Sequence, residues 1–165
     1  MVALGNRIGK NGGTFMTELS IQDIANWFLA KEAMTHKKLQ KLCYYAVAWG
    51  YALTDDYIAT NDKFQAWVHG PVSRTLYNTY KENGWNLLDQ FTSDIEMPDN
   101  IQELLQSVWV TYGDKDGNEL EALSHIEQPW KNARVGVKED ERSENTIDID
   151  DMKKFYRSIY KGDDK

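Results

Sequence analysis

The stretch Thr35-His36-Lys37-Lys38-Leu39-Gln40-Lys41-Leu42-Cys43-Tyr44-Tyr45-Ala46-Val47-Ala48-Trp49-Gly50-Tyr51-Ala52-Leu53 decides how this chain reads. Leu39, Leu42, Cys43, Ala46, Trp49, Gly50 and Leu53 recur at i, i+3, i+4 spacing, the stripe of a helix facing a core, and Thr35 is a good N-cap. The spacing predicts one long, mostly buried helix. Such a helix needs others to cover it.

Upstream, Ser20 and Asp23 have the spacing of a capping box, and Ile21, Ile24, Ala25, Phe28 and Leu29 predict a helix from about Ile21 to Ala33. Downstream, Tyr57-Ile58-Ala59 and Phe64-Gln65-Ala66-Trp67 flank Asn61-Asp62, good turn chemistry for a small hairpin. Gly70-Pro71 should end the second strand and place Pro71 in the first turn of a helix running to Glu82, stopped near Gly84. Trp85 to Met97 reads as an irregular loop packed by Trp85, Leu88 and Phe91. Pro98 and Asp99 open a helix carrying Ile101, Leu104, Leu105, Val108, Trp109 and Tyr112, and Asn118 should cap a short one carrying Leu120, Leu123 and Ile126. Pro129 starts a further turn with Trp130, Lys138 to Asn145 reads as a charged mobile loop, and Asp148 caps a last helix bearing Ile149, Met152, Phe155 and Ile159. The expected fold is mainly α, a single compact helical domain with a small antiparallel β-hairpin or sheet.

The chain has 165 residues, 41% hydrophobic and 12% aromatic, more large side chains than a disordered protein carries. Its 19 Lys+Arg and 26 Asp+Glu leave a net charge of −7, which repels phosphate backbones, so no direct nucleic-acid binding is expected. A single cysteine, Cys43, forms no internal disulfide and no thiolate zinc cage, and suits a reducing, cytoplasmic setting. Apolar stretches such as Leu42 to Leu53 fall short of the roughly 18–20 residues of a membrane span, so no membrane partner is expected. Residues 1–15, with Gly5, Gly9, Gly12 and Gly13 and no acid, read as a disordered extension before a folded domain over 16–165, with Met16 an alternative start.

His36, His69 and His125, with Glu127, are the candidates for metal or acid–base chemistry, but no H-E-x-x-H or paired cysteine supports them. No glycine-rich phosphate loop is present, and Cys43 falls on the apolar stripe, where a buried cysteine is expected. No catalytic residue, metal or cofactor is therefore expected. Lys31, His36, Lys37, Lys38 and Lys41 form a basic cluster, either a solvated face or a face for an acidic or phosphate-bearing partner, a protein more readily than DNA. Two corners carry more than periodicity requires, Phe64 to Val72 and Leu123 to Arg134. In one reading Trp67 and Trp130 fill the core while His69 and His125 satisfy backbone carbonyls; in the other they face a partner.

Lys38-Leu39-Gln40-Lys41-Leu42-Cys43-Tyr44-Tyr45, Phe64-Gln65-Ala66-Trp67 with His69-Gly70-Pro71-Val72, and Leu123-Ser124-His125 with Pro129-Trp130-Lys131 and Ala133-Arg134 together resemble the Panacea domain of SocA-like antitoxins and phage-associated GepA-like proteins. The resemblance spans about Leu19 to Tyr160, with Ser124 where threonine is more usual. It implies a helical domain with a small sheet, no enzymatic activity, and the binding and neutralisation of a cognate protein toxin from an adjacent gene. A phage-encoded adaptor or inhibitor of a host protein is the alternative, and after it a His-dependent metal enzyme. Trp67, Gly70, Pro71, His125, Pro129 and Trp130 become motif positions, and Lys37, Lys38, Lys41, Trp67, His69, His125 and Trp130 the candidate partner-binding residues.

Overall fold

The computed structural model describes residues 19–59 and 63–160; the expected extension over 1–15, the Met16 start and the Asn61-Asp62 turn lie outside them. Helix α2 (His36–Thr54) runs through the middle as the stripe predicts, and every residue from Lys38 to Gly50 is buried. The Thr35 hydroxyl accepts from the Lys38 amide at its start. Asp55, left-handed at φ 65°, closes its end and is held by Lys153 at 2.9 Å and Arg157 at 2.8 Å. Cys43 is fully buried, as its place on the stripe predicts.

Helices α1 (Ile21–Leu29), α4 (Asp99–Tyr112), α5 (Gly117–His125) and α7 (Ile149–Ile159) pack around α2, with α6 (Gln128–Ala133) against α7. The architecture is mainly α, with two small antiparallel sheets among the described residues. The Ser20–Asp23 capping box forms, but α1 stops at Leu29, four residues short of Ala33. Its last carbonyls are taken by a later segment, Phe91 donating to Leu29 and Gln90 to Ala30, and the chain turns into β1 (Met34–Thr35), paired with β4 (Leu87–Leu88). Asp116, not Asn118, caps α5 with a capping box to Glu119, and Ile126 points into solvent rather than joining that helix's apolar stripe.

The hairpin differs most from expectation. β2 (Phe64–Trp67) pairs with β3 (Gly70–Ser73), Trp67 opposite Gly70, while Tyr57 to Ala59 form no strand. Pro71 therefore lies in a strand, and the helix begins three residues later as α3 (Arg74–Tyr80), capped by Ser73. The reason is non-local: Gln40 of α2 accepts from the Ser73 amide at 2.8 Å and donates to its carbonyl at 3.1 Å, acting as a substitute strand. On the other edge of β2, Ala66 donates to Asn145 and Ile147 to Phe64, each at 2.8 Å. The loop from Lys138 is likewise tied down, because Arg134 donates to the carbonyls of Lys138, Glu139 and Glu141.

Where α6 and α7 meet α2, Glu127 reaches inward instead of capping α6 and accepts from Tyr45 at 2.9 Å and Tyr156 at 2.7 Å. The Tyr44 hydroxyl lies 3.1 Å from that of Tyr156, Tyr45 stacks on Tyr112 at 4.0 Å, and Trp49 donates to Tyr112 at 2.9 Å. Burial without a cation raises the Glu127 carboxyl to about 7, against the pull of its two hydroxyl donors.

Candidate functional site

The site is built from the turn of the β2–β3 hairpin, held from both sides. Behind it, the Trp130 indole donates to the Trp67 carbonyl at 2.9 Å and Arg134 to the Ala66 carbonyl at 2.8 Å. His125 stacks on Trp130 at 3.9 Å, and its buried Nε2 has no hydrogen-bond partner among the described residues. Gly70, at φ 107°, turns the chain, and a Cβ there would stand 2.6 Å from Lys41 Cε and 3.2 Å from Ser124 Oγ. Of the motif residues, Trp130 and His125 thus hold the turn, Trp130 being buried and His125 half-buried.

In front of the turn lies an open groove of about 300 Å³ between α2, the hairpin, α3 and the Gly84-Trp85 step. Its apolar walls are Trp67, Val72, Tyr77 and Trp85, and Lys37, Lys41, Lys81 and His69 stand around them. Trp67 meets Tyr77 edge-on at 4.8 Å and carries the Arg74 guanidinium over its ring at 5.0 Å. Lys37 Nζ lies 5.5 Å from the Trp85 ring centre, 2.6 Å from Glu121 and 2.9 Å from Asn118. Glu121 also binds His69 Nδ1 at 2.9 Å; burial pulls its carboxyl upward, but the contacts from Lys37 and His69 hold it below the usual range.

The groove thus gathers Lys37, Lys41, Trp67 and His69 from the candidate list. Lys38 is elsewhere, donating to the Gly113 carbonyl at 2.7 Å and to Glu32 at 3.3 Å, with the Trp109 ring centre 5.4 Å from its ammonium. Neither Lys38 nor Lys41 belongs to a solvated face: both are buried, Lys41 at 2% exposure. Burial lowers the Lys41 ammonium to about 7, Glu121 opposing and Lys37 reinforcing the shift. Burial, then Lys41, lowers His36 to about 4, so its imidazole is neutral near pH 7 and bonds Gln40 at 3.0 Å. His69 meets a carboxylate rather than a backbone carbonyl.

Sequence reasoning missed Trp85, Tyr77, Lys81 and Glu121. Trp85 was expected to pack a loop and instead is 77% exposed, while Leu88 is buried and Phe91 half-buried. A tryptophan directly after a helix-ending glycine carries no periodic signal, so nothing local separates a core role from a surface one. Among the described residues, no group of three or more His, Cys, Asp or Glu is placed to hold a metal. None of the described helices is long and apolar enough to cross a membrane.

A family model described as "Antitoxin SocA-like, Panacea domain" matches residues 39–131. The matched span begins inside α2 and ends inside α6, so it takes in the hairpin and both walls of the groove; it is shorter than the Leu19 to Tyr160 of the motif resemblance. No curated protein and no solved structure matches the chain.

Proposed function

The chain belongs to the SocA-like antitoxins, Panacea domain, and from that membership we propose that it binds and neutralises a cognate protein toxin, without catalysis of its own, in the cytoplasm. The observation that carries the reading is the match over residues 39–131, which takes in the hairpin, α3, the Gly84-Trp85 step and α2 from Leu39 on, while His36 and Lys37 of the groove precede it. A preformed groove with aromatic walls and basic side chains suits a protein partner, because aromatic and cationic residues anchor interfaces. We place the toxin contact at Lys37, Lys41, Trp67 and His69 on this groove, with His125 and Trp130 holding its turn from behind and Lys38 anchoring α2 beside it.

The test is growth of a host expressing the adjacent open reading frame with and without this protein, followed by co-purification. Arrest by the neighbour, rescue by this chain and a stable complex are expected. A harmless neighbour, or rescue without a complex, overturns toxin neutralisation by direct binding.

A further inference from the structure

The groove has a charge opposite to that of the molecule around it. The chain carries 26 acidic residues and a net charge of −7, yet no described Asp or Glu lines the groove, while Lys37, Lys41 and Lys81 do. The nearby carboxylate of Glu121 already serves Lys37 and His69. At the floor, the Lys41 ammonium is almost wholly buried, and its one hydrogen-bond acceptor among the described residues is the Pro71 carbonyl at 3.3 Å. An ammonium so buried, with a single long hydrogen bond and no ion pair among the described residues, gives up its proton easily, and a carboxylate entering from the groove would favour its charged form. Beside it, Trp85 leaves a large apolar ring in water, with the Lys37 ammonium 5.5 Å from its centre.

We propose that this groove takes an acidic segment of the toxin in which carboxylates alternate with apolar side chains. The carboxylates meet Lys81 and Lys37 at the rim and Lys41 at the floor, and an apolar side chain sits between Trp67, Tyr77 and Trp85. The proposal rests on the antitoxin reading for the identity of the partner, and on charge complementarity for its chemistry.

The probe is an acetylated, amidated hexapeptide of alternating glutamate and leucine, titrated calorimetrically beside its glutamine–leucine counterpart. The glutamate peptide is expected to bind, and to weaken about tenfold or more with Lys81→Glu or Trp85→Ala, both exposed positions whose variants keep the fold. Circular dichroism verifies that fold. Absent binding, equal binding of the two peptides, or undiminished binding by both variants overturns the proposal. In the growth assay, loss of rescue by folded Lys81→Glu supports it, whereas full rescue by both variants overturns the groove and leaves neutralisation standing. Selective peptide binding by a chain that rescues no toxin supports the groove and removes the antitoxin reading instead.

Discussion

Glu127 shows how burial turns one side chain into a pH-dependent contribution to stability. Its carboxyl holds its proton to about 7 in the fold, above the ordinary value of 4.5 that applies once the chain unfolds. The folded state therefore binds the proton more tightly, so the contribution is full below pH 4.5, falls as pH rises to about 7, and is level beyond. Glu127→Gln removes this titration. The stability of that variant relative to the parent should rise with pH across the same window, by on the order of 3 kcal/mol, in urea unfolding at a series of pH values. At this scale the sequence was partly legible. Cys43 lay on an apolar stripe and is buried, but Lys41 looked like an exposed helix lysine and is buried too. Its cover, Gly70 and Pro71, comes from some thirty residues downstream, which no local pattern around Lys41 records.

The hairpin is the element whose stability depends most on a partner from another element. Gln40 supplies both an acceptor and a donor to Ser73 in a buried setting, so Gln40→Leu leaves the Ser73 amide unsatisfied, while its carbonyl, at the N-cap of α3, keeps the first helical bond. A loss of about 1–3 kcal/mol is expected by chemical denaturation, with faster hydrogen exchange at the Ser73 amide. A second dependence runs through Arg134, whose fork reaches β2 on one side and the carbonyls of residues 138, 139 and 141 on the other. Lysine cannot reproduce a fork, so Arg134→Lys should release this loop, and limited trypsin digestion should cut faster after Lys138 and Arg142. Helices with strong periodicity, such as α2, α4 and α7, were legible because their apolar stripes are local facts. The strand pairing was not: Asn61-Asp62 offered good turn chemistry, but Gln40 and residues 145–147 fix the edges of a hairpin turning at Val68-His69.

At the scale of the molecule, an acidic body carries a cationic concavity. On the docking proposed above, the association rate with the toxin should fall several-fold as salt rises from about 0.05 to 0.5 M, and Lys81→Glu should flatten that dependence in stopped-flow mixing. The sequence named Lys37, Lys41, Trp67 and His69 but could not join them, because the groove exists only once α2, the hairpin and the Trp85 corner meet. The tyrosines around Glu127 carry an optical consequence. Burial holds the phenols of Tyr44, Tyr45, Tyr112 and Tyr156 far above their ordinary range, so in an alkaline titration these four of the nine tyrosines should stay dark in tyrosinate absorbance while the exposed ones colour. Their absorbance should arrive together, as one late step when the core opens, giving the protein a label-free chromophore that reports its own unfolding.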